Sequence, residues 1–236
     1  MTKQAGYILY EGLSKIDNKP IVVIATMKTT NRKTGDMVQT WIMRSDINPV
    51  EVSQSGSDVS ICGTCPHRQS LGGDCYVNIG QAPLSIFKAY KRGRYHKLPF
   101  ADYEAIFKGR AIRFGAYGDP VLIPFAIVQK LASIATKHTG YTHQWQDARF
   151  NEYKPYFMAS ADSPSEAGQA LVNGWRYFRV SREAMPNNNE VECLSVTKSI
   201  ACADCGLCNG ASINDRAKSI VITAHGSRSN KNGVAI

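Results

Sequence analysis

No apolar run approaches the roughly 18–20 residues needed to cross a bilayer, so no transmembrane helix is expected. The opening Met1-Thr-Lys-Gln-Ala-Gly-Tyr7 lacks the apolar stretch of a signal peptide, which points to a reducing, cytoplasmic compartment. There is no Ser–His–Asp order signal, no phosphate-cradling Gly-rich loop and no His-Glu-x-x-His. Internal repeats and low-complexity linkers are also missing. Cysteine is absent from nearly the whole chain. All seven fall in two short stretches, and an odd count excludes a complete disulfide framework.

Those two stretches carry the strongest signal. The first is Cys62-Gly-Thr-Cys65 followed by Cys75. The second is Cys193, then Cys202-Ala-Asp-Cys205-Gly-Leu-Cys208. Two-residue intervals bring thiolates within reach of one ion or cluster. Cys62, Cys65 and Cys75 can serve three corners of a [4Fe–4S] cluster and leave the fourth iron open to a small-molecule ligand. The alternative is structural zinc, with His67 as fourth ligand. The four C-terminal thiolates suit a closed cluster or a closed zinc site.

The chain has 236 residues, 43% hydrophobic and 20% charged, enough for a sizeable core. Its net charge of +9 makes nucleic acid a candidate partner. The densest basic stretch is Lys88, Lys91, Arg92, Arg94, His96 and Lys97, with Tyr90 and Tyr95 interleaved. A solvated helix end explains the same residues.

The β-branched runs Ile21–Met27 and Val38–Met43, separated by a polar stretch, predict an N-terminal β-hairpin. Asp46–Val50 opens a short helix or turn. Helix and strand signals then alternate. Helices are expected at Ala82–Tyr90, Phe100–Phe107 and Pro124–Lys137, and from Ser163 to Asn173 with a Ser163/Glu166 capping box. Strands are expected at Ala111–Gly115, Tyr141–Gln144, Tyr156–Ala159 and Trp175–Val180. This order predicts an α/β fold: a partial (β/α) barrel or curved, mostly parallel sheet, with the hairpin before it and a Cys-rich metal-binding segment after it. Three regions are expected: 1–57, 58–190 and 191–236. The tail from Ser227 reads as mobile.

Polar segments follow successive strands: Tyr117-Gly118-Asp119-Pro120, Tyr141-Thr-His143 and Ser160-Ala-Asp162-Ser-Pro164. Strand ends of a parallel layer are where such folds build sites. Asp119 could instead cap a turn, Asp162 could cap a helix, and His143 could be a core residue bonded to backbone. Trp145 and Trp175 read as packing residues.

A cysteine loop after the first strand and Gly-Asp-Pro after the second resemble the radical S-adenosylmethionine enzymes. Their corresponding loop is usually Cys-x3-Cys-x2-Cys, whereas this one is Cys-x2-Cys-x9-Cys. The chain also resembles a group of small phage proteins with Cys-Tyr closing the first loop and Cys-Ala-Asp-Cys-Gly-Leu-Cys near the end, followed by His-Gly, here His225-Gly226. The resemblance covers about residues 58–226. It implies one or two [4Fe–4S] clusters, S-adenosylmethionine held against Tyr117, Gly118, Asp119 and Ser160, a radical-enzyme scaffold active or degenerate, and residence in a host-cell cytoplasm. A zinc-stabilised nucleic-acid-binding protein, and a regulatory protein with purely structural metals, are the competing readings.

Overall fold

In the chain Ile21-Val-Val-Ile-Ala25, every side chain is fully buried, so β-branched residues are covered on both faces of the pleat. The run forms β2 (Pro20–Thr26). It pairs antiparallel with β3 (Met37–Arg44), completing the expected hairpin. The computed structural model describes residues 4–182, 185–211 and 217–224. The His225-Gly226 pair and the tail from Ser227 lie outside the described residues.

A further strand, β1 (Gly6–Leu13), adds antiparallel to β2. Two-residue β4 (His96–Lys97) lies parallel to β1 at the edge. On the other side, β3 pairs parallel with β5 (Ala111–Tyr117), and β5 with β6 (His138–Thr139). The first sheet is therefore mixed, in the order β4-β1-β2-β3-β5-β6. The second sheet is parallel throughout. It contains β7 (Tyr141–Thr142), β8 (Met158–Ala161), β9 (Tyr177–Ser181), β10 (Glu190–Glu192) and β11 (Ser219–Thr223), in the order β10-β11-β9-β8-β7. The chain passes from one sheet to the other at Gly140. The hairpin's second strand is also the first parallel strand, so the hairpin and the α/β part share one sheet.

The connections are helical. Between β3 and β5 lie α1 (Pro49–Gln54), α2 (Val59–Cys62), α3 (Ala82–Lys91) and α4 (Tyr103–Phe107). Asn48 caps α1 by accepting from the Val50 and Glu51 amides, and Pro49 occupies the first position. Helix α5 (Phe125–Ile134) joins β5 to β6 and buries Ile127, Val128 and Leu131, one face at helical spacing. It stops three residues before the expected Lys137. Ala135 turns extended because Thr136 N–H bonds Arg110 O and Lys137 O accepts from Ile112, drawing the chain into the sheet.

Helix α6 (Pro164–Val172) joins β8 to β9. Ser163 Oγ accepts from Glu166 N–H, as a capping residue should. The expected box is displaced by one residue, because Glu166 Oε2 accepts from Asp162 N–H instead. Strand β7 is two residues rather than four: Gln144 is pulled into a 3-10 turn, where its N–H bonds Thr142 Oγ1. Short helices α7 (Leu194–Thr197) and α8 (Cys202–Cys205) precede β11.

Candidate metal centres at the strand ends

Strands β3, β5, β7 and β8 run parallel or follow one another in the chain, and each is followed by a polar segment. The first cysteine loop comes after β3 and α1. Gly63, between Cys62 and Cys65, sits at φ 55°, and a Cβ there would lie 2.3 Å from Gln144 Oε1. The bare backbone lets Gln144 enter. Its Oε1 accepts from Thr64 N–H and Thr64 Oγ1, both at 3.2 Å, while its Nε2 donates to Cys62 O at 3.1 Å. Residues after β7 thus hold the loop that follows β3.

Asp119 completes this clamp. It is buried, and its N–H donates to Ile61 O at 2.7 Å. Oδ2 accepts from Thr142 Oγ1 at 3.0 Å, His143 N–H at 3.0 Å and Gln144 Nε2 at 3.3 Å; Oδ1 accepts from Val121 N–H at 3.2 Å. Four donors thus engage the carboxylate, three of them on Oδ2. Burial raises the Asp119 pKa, with the hydrogen bonds from Thr142, Val121 and His143 opposing it. The Gly-Asp-Pro segment is therefore a fastening between three strand ends, and Asp119 does cap the turn Pro120–Leu122. Gly118, at φ 79°, approaches Ile42 so closely that a Cβ would meet its Cβ and carbonyl oxygen at 2.7 Å. Ser160 lies partly exposed on β8, where its carbonyl accepts from Trp145 Nε1 at 2.9 Å. Trp145 and Trp175 are both buried, as packing residues should be.

Tyr117 ends β5 facing the cysteine loop. Burial first, then the charges of Cys62, Cys75 and Asp58, push its phenol well above the ordinary range. Its hydroxyl is buried with no hydrogen-bond partner among the described residues. Cys62 is likewise pushed well up, by burial and then by Cys65, Cys75, Asp58 and Asp119. The three thiols thus share one neighbourhood.

Beside them, three side chains from three segments converge. His67 Nε2 lies 3.0 Å from Asp162 Oδ1, and His143 Nε2 lies 3.5 Å from Asp162 Oδ2. His67 Nδ1 meets Asp74 Oδ1 at 2.6 Å. His143 Nε2 is 3.9 Å from Cys65 Sγ. Burial would lower the His67 pKa, but Asp162 and Asp74 outweigh it and raise the pKa to about 9. For His143 burial is likewise outweighed, by Asp162 and Cys65, and the pKa is raised to about 10. Asp162 would be raised by burial, yet the two imidazoles hold it well below the usual carboxylate range. The sequence pointed to His67, His143 and Asp162 separately. Asp74 and Gln144 gave no local signal.

The second cysteine group surrounds Cys208. Its thiol is pushed up to about 12 by burial, opposed by a bond with Tyr141, and raised further by Cys193, Cys202 and Cys205. The segment is fastened mainly through backbone. Cys202 and Ala203 N–H donate to Lys33 O and Thr34 O, Gly140 N–H donates to Cys208 O, and Lys137 reaches Asp204 O. The Arg176 guanidinium donates to the carbonyls of Leu207, Gly210 and Lys218 and to Asn209 Oδ1 at 2.7–3.0 Å. Arg113 on β5 donates to Tyr76 Oη at 2.6 Å, next to Cys75 in sequence, and its charge acts on Cys202.

None of the seven cysteines forms a disulfide. Among the described residues, the only group of three or more His, Cys, Asp or Glu ligand atoms within 4.8 Å of one another is His67, His143 and Asp162. A tetrahedral zinc with bonds of about 2.3 Å needs thiolates roughly 3.8 Å apart. The cysteines of each group are near enough to raise one another's pKa, while among the described residues no three of their sulfur atoms all lie within 4.8 Å of one another. A multi-iron cluster, with each thiolate on its own iron, accepts wider spacing.

In the basic stretch, Tyr90 and Tyr95 pack against the core, and Tyr90 Oη donates to Glu11 at 2.7 Å. Both are partly buried. No helix among the described residues is long and apolar enough to cross a membrane. Comparison with protein-family models, curated proteins and solved structures found no match.

Proposed function

We propose that the protein is an iron–sulfur protein with two centres on a partial-barrel scaffold of the radical S-adenosylmethionine kind. Cys62, Cys65 and Cys75 would hold an open [4Fe–4S] cluster. Cys193, Cys202, Cys205 and Cys208 would hold a closed one. The observation that supports this reading is the cysteine pattern, Cys62-x2-Cys65-x9-Cys75 and Cys193 with Cys202-x2-Cys205-x2-Cys208, with the thiols of each group near enough to raise one another's pKa. The donor set fits. Tyr117 Oη, at the end of β5, is a buried hydroxyl with no hydrogen-bond partner among the described residues, of the sort that can bond to cluster sulfur.

A bound cluster supplies one-electron chemistry. The polar residues around the first loop would orient a small molecule bound at the open iron. Asp119 is a positioning residue, since it is buried and four donors already engage its carboxylate. The inward packing of Tyr90 and Tyr95 gives the nucleic-acid alternative less support.

Protein purified anaerobically should be brown, absorb broadly near ~400 nm and carry about eight irons with matching sulfide, the content of two such clusters. Colourless protein holding only zinc would refute the proposal. S-adenosylmethionine added to reduced protein should be followed by paramagnetic resonance and by assay for 5′-deoxyadenosine. Product formation would make the protein a radical enzyme; an unperturbed spectrum with no product would leave an electron-transfer role.

A further inference from the structure

We propose that His67, His143 and Asp162 bind a divalent transition-metal ion, with Asp74 orienting His67 from behind. The inference uses no cysteine and does not depend on the iron–sulfur reading.

The Nε2 atoms of two histidines converge on the two oxygens of one carboxylate, at 3.0 and 3.5 Å. An ion with bonds of about 2.0–2.2 Å to nitrogen and oxygen, at angles of roughly 90–110°, sets its ligand atoms about 3.0–3.5 Å apart. The two His–Asp162 separations fall in that range, and the three ligand atoms all lie within 4.8 Å of one another. The ligands come from the cysteine loop, the end of β7 and the end of β8, so the fold itself assembles them. Their side chains are 22%, 20% and 18% exposed, which shields the site while leaving one side reachable.

The Asp74 contact is a second and independent observation. His67 Nδ1 meets Asp74 Oδ1 at 2.6 Å. Metal-bound histidines commonly donate their other ring N–H to a carboxylate, which fixes the tautomer and aims the free nitrogen at the ion. Two imidazoles and a carboxylate suit zinc or ferrous iron better than magnesium or calcium. Three protein ligands leave a coordination position for water or substrate, the arrangement of a catalytic rather than a closed structural ion. The alternative is two imidazolium ions sharing a carboxylate, with no metal.

The test uses the full chain, anaerobically purified and then supplied with one equivalent of zinc. Zinc-edge X-ray absorption should show a shell of nitrogen and oxygen only, at about 2.0–2.1 Å; a sulfur shell at about 2.3 Å in protein whose cysteines are occupied by iron would overturn the proposal. Zinc affinity should fall at least 100-fold in His143→Ala and Asp162→Ala. It should fall about 10- to 100-fold in Asp74→Asn, the usual cost of losing an outer carboxylate. Folded variants that keep wild-type affinity would overturn it, and if variants fail to fold the wild-type edge spectrum alone decides. Iron without an N/O zinc site refutes this inference only; an N/O zinc site in iron-free protein refutes the cluster reading only.

Discussion

Around Cys62, Cys65 and Cys75 the neighbours are side chains that carry protons: His143, Asp162, Tyr117 and Asp119. Around Cys193, Cys202, Cys205 and Cys208 they are mostly backbone carbonyls and amides, gathered by Arg176 and by the Lys33–Thr34 loop. The first group lies where parallel strands end and polar residues accumulate. The second brings α8 against the loop between β2 and β3. Thiols alone do not tell a reactive centre from a fastening; what surrounds them does. A centre held by backbone has nothing to move, whereas one beside titratable side chains can exchange protons with whatever binds.

The largest break in this contrast should come from the second group. Cys205→Ser is expected to lower metal content and soluble yield together and to cut the melting temperature by roughly 10 °C or more, because metal-binding free energy in such a segment is folding free energy. Cys65→Ser in the open group should remove metal with a much smaller loss of stability. Equal melting losses, read by calorimetry alongside iron analysis, would erase the distinction.

Next in size is Asp119→Ala. It leaves the Thr142 hydroxyl, the His143 amide and the Gln144 amide without their shared acceptor, and should cost about 2–4 kcal/mol in chemical denaturation. Asp119→Asn keeps one acceptor oxygen and should cost about half as much. If Asp119→Ala is as stable as wild type but loses a small-molecule ligand, the residue belongs to binding rather than to the clamp.

A smaller effect, on the order of 1–2 kcal/mol, should appear as pH dependence in metal-free protein, since one pKa unit corresponds to about 1.4 kcal/mol and the three groups titrate as a coupled set. His67 and His143 have raised pKa values in the fold, about 9 and about 10. Their contribution is therefore complete below the ordinary histidine value of about 6.5 and is lost as pH rises toward 10. Asp162 is lowered, so its contribution holds above its ordinary value of 3.8 and fades as pH falls below it. Denaturation midpoints should plateau between those limits and decline on both sides. Asp162→Asn should flatten the alkaline decline; an unchanged slope would mean that the triad contributes no stability.

How much of this could be read in the chain depends on whether the cause was local. Cysteine spacing is local, and it located both groups. Hairpin and helix signals are local too, and β2, β3, α3, α5 and α6 lie close to where residue patterns put them. Strand β1 lay in a stretch that read as β but received no bounds, because Gly6-Tyr-Ile-Leu-Tyr-Glu-Gly-Leu13 carries glycines near both ends and its pairing with β2 decides where it starts and stops. The Asp119 role was unreadable for a different reason: the Gly-Asp-Pro segment looks the same whether its carboxylate faces a ligand or three donors some 23 to 25 residues away. Asp162 and His143 stood out only as strand-end polar residues. That they share one carboxylate–imidazole contact depends on β7 and β8 being neighbours.

The finest probe of the contrast is Tyr117→Phe. The phenol is buried at the first group, close enough to Cys62 and Cys75 to feel their charge, yet its hydroxyl has no partner among the described residues. A buried, unbonded hydroxyl costs free energy, so deleting it from metal-free protein should leave stability unchanged or raise it by up to about 1 kcal/mol. In cluster-loaded protein the sign should reverse. A hydroxyl that bonds to cluster sulfur stabilises the reduced, more negative state, so its loss should make the first centre's reduction potential more negative. The closed centre, where Tyr141 already bonds Cys208, should not respond. Potentiometric titration followed by paramagnetic resonance separates the two centres. A shift confined to one of them assigns Tyr117 to the open cluster. No shift, with the stability gain retained in loaded protein, would reduce Tyr117 to a packing residue and weaken the case that the first group is the reactive one.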